Sequence, residues 1–281
     1  MRKIGVMADC FRVGQVDGIR RAASLGADAV QLDIGGRGAI RDRWTSSYRA
    51  EIRHALAENG LAFSALCADL GGHGFMIPAD NPARIEETIQ MMDLVRELGG
   101  DTLTSHIGVI PPDPANPRYA VLQDAMSQLA IAGERIGCRI AIETGPEAPE
   151  TLAGFLQTMP NNRVGINYDP ANLVMVMGVD PIQGVETLKG SIYHTHAKDG
   201  KMFKYVGPEV VYGFFAEGGI EDLRMEECFI ELPLGQGDVN IPAWLAALDR
   251  IGYNGYLTIE REVGVNPDGD IAEAIRFLRT L

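Results

Sequence analysis

Five times in this chain a helix-patterned stretch ends on a glycine and a short apolar run follows: "SLGAD" at Gly26, "AENGLA" at Gly60, "ELGGD" at Gly99, "RIGCR" at Gly137 and "RIGYN" at Gly252. Glycine suits these places because the residue that closes a helix often takes a positive φ, which costs little without a Cβ. The first four lie 34, 39 and 38 residues apart, the length of one strand, one helix and their two loops. Helix starts carry the complementary sign. "DNPAR", "ANPRY" and "VDPIQ" place Asn or Asp before proline, a capping residue followed by one tolerated in the first turn. The helix from Pro82 bears Ile85, Ile89, Met92 and Val95 at helical spacing, and one near Trp244 bears Leu248 and Ile251, each giving one buried face.

Between these helices stand eight strand candidates: Ile4–Ala8, Ala29–Ile34, Ala62–Cys67, Thr102–Ile107, Ile140–Thr144, Val164–Asp169, Ser191–Ala197 and Tyr256–Glu260. Eight strands alternating with helices in 281 residues, 46% of them apolar, predict an α/β fold: a (β/α)₈ TIM barrel, one domain over residues 1–281. The competing open, doubly wound sheet would carry a glycine-rich phosphate loop after an early strand, and none is present.

Alternation along the strands places the polar residues. Ile140 and Ile142 share one face and leave Glu143 on the other. Val164, Ile166 and Tyr168 leave Asn167 and Asp169 opposite; Leu257 and Ile259 leave Thr258 and Glu260. With the apolar sets against the helices, Glu143, Asp169 and Glu260 point into the barrel at the C-terminal strand ends, where active sites of such barrels sit. His194, His196 and Lys198 in "IYHTHAKDG" share one parity, which puts His196 level with the carboxylates and His194 one layer deeper, though Ile192 then also points inward. Three carboxylates converging at low dielectric repel unless a counter-charge joins them. Three oxygen donors and one imidazole suit one divalent metal, Mn²⁺ first, then Mg²⁺ or Co²⁺, and Zn²⁺ least.

The stretches "IETGPE", "NYDPANL", "HTHAKD", "PLGQGDVNIPAWLAALDRIGYNGYLTIERE" and "DIAEAIRFLR" resemble the sugar phosphate isomerase/epimerase family, the xylose isomerase-like barrels, over essentially the whole chain. The resemblance implies that Glu143, Asp169, His196 and Glu260 bind one metal, and that Glu143 and Glu260 are the catalytic acid and base. The expected function is a metal-dependent epimerase or isomerase of a keto-sugar or keto-glycoside, acting through an enediolate. A lyase or dehydratase on a keto-polyol or keto-glycoside is the nearest alternative, and a non-catalytic sugar-binding barrel is the alternative of another class. Two departures stand out. Asn172 occupies the place of a histidine common in ketose 3-epimerases, and Met202 lies near the place of their substrate-binding arginine. The further histidines of the three-zinc endonucleases of this group are missing.

Candidate substrate contacts are His106, Lys198, Glu147, His73 and Asn172. The first four have plainer structural roles: His106 as a hydrogen-bonded strand-end residue, Lys198 tied to Asp199, Glu147 favouring a helix start, His73 in a glycine-rich turn. Trp44 reads as packing rather than sugar stacking, and Arg37 and Arg43 are the loop arginines left for a phosphate. Residues 200–234, with Tyr205, Tyr212, Phe214 and Phe215 before the acidic "EDLRMEE", make too long a link for an ordinary barrel loop, and are expected to form a partly ordered lid or an interface. The net charge of −13 disfavours nucleic acid and anionic lipid, leaving a small sugar substrate and copies of the same chain as partners. Cys10, Cys67, Cys138 and Cys228 share no ligand spacing and read as buried free thiols of a cytoplasmic protein, and neither a signal-peptide core nor a membrane-length apolar run is found.

Overall fold

A computed structural model describes residues 1–220 and 223–281; Glu221 and Asp222, the first two residues of "EDLRMEE", lie outside the described residues. Strands β1 (Lys3–Met7), β2 (Ala29–Asp33), β3 (Ala62–Cys67), β4 (Thr102–Ser105), β5 (Arg139–Glu143), β6 (Val164–Tyr168) and β7 (Ile192–Ala197) follow one another round a parallel barrel. After a two-stranded excursion of β8 (Asp199–Met202) and β9 (Phe229–Leu232), strand β10 (Tyr256–Ile259) closes the barrel between β7 and β1. The closing register runs Lys3↔Tyr256 to Val6↔Ile259. The eight expected strands are these eight, and the largest change is that β4 stops at Ser105, just before His106.

The five punctuating glycines all take positive φ, from 64° at Gly60 to 89° at Gly99. Asn116 and Asp180 cap their helices as expected, accepting from Arg118 N at 3.0 Å and Ile182 N at 2.9 Å. The "DNPAR" start is built differently. Asp80 makes no side-chain cap, and Asn81 donates its amide to the Phe75 carbonyl at 3.0 Å, holding the preceding loop instead.

The core is a ring between sheet and helices. Ile4, Val30, Leu66, Leu103, Ile142, Ile166 and Ile259 pack there with Ile19, Ile52, Met92, Leu129, Trp244 and Ile275, each contributing about 1.5–3 kcal/mol by leaving water. The barrel interior is different: Gln31, Thr104, Asn167, His194, His196 and Thr258 are buried there and bond one another. No described helix is long and apolar enough to cross a membrane.

The segment 200–234 is not one long loop. β8 and β9 pair antiparallel, and a helix, Pro208–Glu217, rises between them. Asp199 opens the hairpin and collects four backbone N–H groups, from Gly200, Gly235, Gly237 and Val239 at 2.8–3.1 Å, which folds "PLGQGDV" around one carboxylate. A Cβ on Gly237 would collide with that carboxylate and with the Gly200 nitrogen, so the motif needs glycine there.

Candidate metal centre

Glu143 ends β5, Asp169 follows β6, His196 lies in β7 and Glu260 follows β10. All four are buried, Asp169 completely, and one donor atom from each lies within 4.8 Å of the others. His196 Nδ1 is central, 3.2 Å from Glu260 Oε2, 3.4 Å from Glu143 Oε1 and 3.7 Å from Asp169 Oδ2. Asp169 Oδ1 accepts from the Ala171 and Asn172 nitrogens at 2.8 and 3.1 Å, while Oδ2 is buried and has no hydrogen-bond partner among the described residues. A buried carboxylate oxygen without a donor is costly unless something positive meets it. Three carboxylates, one imidazole and this orphaned oxygen fit a divalent cation, and the group can hold one.

The polar barrel interior orients these side chains. Gln31 Oε1 lies 3.1 Å from His196 Nε2 and accepts its proton, which turns Nδ1 toward the carboxylates. Gln31 is itself held by its amide donating to Thr104 Oγ1 at 3.2 Å. Asn167 donates to Glu143 Oε2 at 3.1 Å and accepts from His194 Nδ1 at 2.9 Å, and His194 Nε2 meets Thr258 Oγ1 at 3.1 Å. A register shift between Ile166 and Asn167 brings Asn167 opposite His194. His194 thus sits one layer below the four-residue group, held neutral because burial and His196 push its pKa well below the usual range. Asn172, in the short turn after Asp169, donates to Glu143 Oε1 at 3.0 Å.

Charge balance in the group is local. Burial alone would lower the His196 pKa, but Glu260 and Glu143 outweigh it and hold the imidazole well above its usual range. Burial would raise Glu260, yet His196 and Lys198 hold it well below the carboxylate range; His196 and His106 likewise keep Glu143 low against its burial. Asp169 is the exception, pushed up to about 6 by burial and by its two carboxylate neighbours. Lys198 lies 2.8 Å from Glu260 Oε2, 2.6 Å from Glu262 Oε2 and 3.7 Å from Glu231 Oε2, so it does not pair with Asp199. Arg261 extends this chain to Glu231 and Asp270 at 2.7 and 2.8 Å.

The other expected contacts divide by distance. His106 stands at the rim with Nε2 3.9 Å from Glu143 Oε1 and Nδ1 3.3 Å from Asp69 Oδ2, and its pKa is raised to about 9 because Glu143 and Asp69 outweigh burial. Glu147 is buried; Oε1 accepts from Ile110 N at 2.7 Å and Oε2 has no partner among the described residues. His73 belongs to no such group and bonds Glu217 at 2.6 Å on the Pro208–Glu217 helix. Trp44 is fully buried and donates to the Ile34 carbonyl at 3.0 Å, a packing residue as expected. All four cysteines are buried and unpaired. Gln31, Asp69, Glu231 and Tyr212 were absent from the sequence-based site. The lone glutamine in the apolar strand "AVQLD" was a readable signal for Gln31; Asp69 comes from the loop after β3, and Tyr212 and Glu231 from the excursion after β7, which barrel-strand parity does not describe.

Residues 19–281 match the sequence model of the family described as xylose isomerase-like TIM barrel. Two curated relatives, both uncharacterized, are YfiH of Bacillus subtilis (strain 168), 27% identical over 133 residues, and MJ1311 of Methanocaldococcus jannaschii, 24% identical over 204 residues. These matches take in 47% and 65% of the chain and only 41% and 61% of the relatives, so the chain spans about half the length of the curated proteins it matches. Among solved structures, a xylose isomerase domain protein from Planctomyces limnophilus superposes with a TM-score of 0.79 at 24% identity over 99% of this chain and 96% of that one. The probable 3-DHS dehydratase AsbF of Bacillus anthracis gives 0.77 at 16% identity over 99% of both, and the 3-keto-D-glucoside 4-epimerase YcjR of E. coli gives 0.74 at 15% over the full length of both. At such identities these likenesses establish the fold.

Proposed function

The chain belongs to the xylose isomerase-like TIM barrel family, and from that membership we propose that it is a divalent-metal-dependent epimerase or isomerase of a keto-sugar or keto-glycoside. The observation that carries the reading is the convergence of Glu143, Asp169, His196 and Glu260 within 4.8 Å, with Asp169 Oδ2 buried and unpartnered. These four residues would hold the cation, with Mn²⁺ ahead of Mg²⁺ and Co²⁺ for an oxygen-rich set. When bound, it supplies electrostatic stabilisation to negative charge that develops on adjacent substrate oxygens.

The chain's own residues supply the proton chemistry. Glu143 and Glu260 enter from β5 and β10, separated round the barrel by β6 and β7, so each approaches a bound sugar from its own side. One carboxylate removes the proton next to the ketone and the other returns a proton to the opposite face, which inverts the carbon. Lys198 keeps Glu260 ionised, as a base must be, and the positive charge of His106 near Glu143 favours the ionised form of that carboxylate as well. Gln31 and Asn167 hold His196 and Glu143 in register through the turnover. The 3-keto-D-glucoside 4-epimerase and the dehydratase among the similar folds mark the two product classes to separate.

The test is exchange of substrate C–H with solvent. Mn²⁺-loaded protein is incubated with D-fructose, D-tagatose and a 3-keto-glucoside in deuterated water and followed by NMR and mass spectrometry. The expected result is deuterium incorporation without loss of mass as water, reduced about 10²–10⁴-fold in Glu143→Gln and in Glu260→Gln, with circular dichroism unchanged. Full exchange in both variants would overturn the acid–base assignment, and loss of water would move the chain to the dehydratase class.

A further inference from the structure

The Pro208–Glu217 helix lies over the open end of the barrel, and one of its side chains reaches down. The Tyr212 ring packs on the His106 ring, centroids 5.4 Å apart and tilted by 52°. Its hydroxyl occupies space that exists only because residue 145 has no side chain: a Cβ there would collide with Tyr212 Oη and lie 3.2 Å from Asn172 Cβ. Asn172 in turn donates to Glu143 Oε1 at 3.0 Å, so one side chain, Asn172, links the neighbourhood of the phenol to the proposed catalytic carboxylate. Glu147, Glu143 and Asp169 are the negative charges that bear most on this phenol.

The helix is held by few contacts. Its buried Val211 packs with Val176, Met225 and Cys228 in a small apolar cluster separate from the main core. A hydrogen bond and an ion pair tie it to neighbouring segments: Glu217 to His73 at 2.6 Å, and Glu209 to Arg118, in the first turn of the Pro117–Ile136 helix, through two bonds of 2.8 and 3.1 Å. Partly exposed pairs of this kind are weak singly and break readily. A helix so fastened closes the site without locking it.

We propose that Tyr212 is a substrate-contacting, specificity-determining residue carried on this cap, its hydroxyl bonding a hydroxyl of a monosaccharide-sized keto-sugar or keto-glycoside beside Glu143. The inference rests on the function proposed above, and it adds a recognition element that β7 delivers through its excursion rather than through a strand end. Substrates enter when the His73–Glu217 and Arg118–Glu209 ties open, and closure brings the phenol onto them. A chain end buried in a larger glycan would prevent that closure, which limits the substrate to small sugars.

Two arms test the proposal. In the first, without metal or sugar, amide hydrogen exchange of residues 203–217 is compared in wild type, Gly145→Ala, Tyr212→Ala and the double variant. The added methyl should push the cap open and speed exchange at least fivefold, and should have no further effect once Tyr212 is alanine. Additive effects in the double variant would overturn the placement of Tyr212. In the second, Tyr212→Phe keeps the ring on His106 and removes only the hydroxyl. Its kcat/KM on the sugar that wild type turns over should fall at least tenfold, mainly through KM, with Mn²⁺ content unchanged; a loss under twofold would overturn the contact. If wild type exchanges no sugar proton, the function proposed above fails, while the first arm still decides the cap.

Discussion

At the scale of single residues, the four proposed ligands show what strand alternation can and cannot say. Glu143, Asp169 and Glu260 were readable because apolar residues of the opposite parity, such as Ile140 and Ile142 beside Glu143, claimed the helix side of the sheet. The orientation of His196 was not readable, since it depends on Gln31 from a strand 165 residues earlier. Glu147 offers a test of a buried, half-satisfied carboxyl. Burial raises its pKa to about 8, partly offset by the Ile110 N–H and His106. The folded state therefore binds a proton that the unfolded state releases near pH 4.5. Its contribution to stability is intact below that value and is lost as pH rises through about 8. Glu147→Gln keeps an acceptor for Ile110 and cannot ionise, so its urea midpoint should fall less than that of wild type between pH 6 and pH 9. Parallel declines of the two proteins would show that Glu147 does not titrate in this window.

At the scale of elements, the β8–β9 excursion is the part that periodicity missed. "PLGQGDV" has no alternation and no helical stripe, because its structure comes from one side chain bonding backbone amides across about 40 residues of chain, as Val239 N to Asp199 Oδ1 does. An ionised carboxylate that only accepts is suited to four N–H donors. Asp199→Asn would present an NH₂ group to some of them, leaving buried donors unpaired at a cost of about 1–3 kcal/mol. Thermal unfolding should show that loss, and proteolysis should cut first between β8 and β9. An unchanged midpoint would mean that the turn holds by its backbone alone. The barrel strands and helices were legible for the opposite reason: each is defined by neighbours within one or two turns, and five of the helix ends by a glycine at positive φ.

At the scale of the whole molecule, four of the eight barrel strand ends supply one converging group, and an ion held there would couple β5, β6, β7 and β10. A ligand that binds only the folded state stabilises it by about 2.7 kcal/mol at 100 times its dissociation constant. Excess Mn²⁺ should therefore raise the thermal midpoint, and dialysed protein should retain about one metal per chain by the ligand count argued here. His196→Ala should lose both effects. A wild type that neither retains metal nor shifts would sink the metal reading and leave a barrel whose carboxylates are balanced by His196, Lys198 and His106 alone. The sequence by itself determined the succession of strands and helices, their hydrophobic faces and the depth at which the carboxylates stand. Those properties follow from local periodicity and from the few conformations each residue type permits. Only the tertiary structure decided which nitrogen of His196 faces the carboxylates, that Lys198 pairs with Glu260 rather than Asp199, and that Tyr212 lies over Gly145. Each of those depends on side chains brought together from distant segments, where a change of a few ångströms in a loop changes the partner.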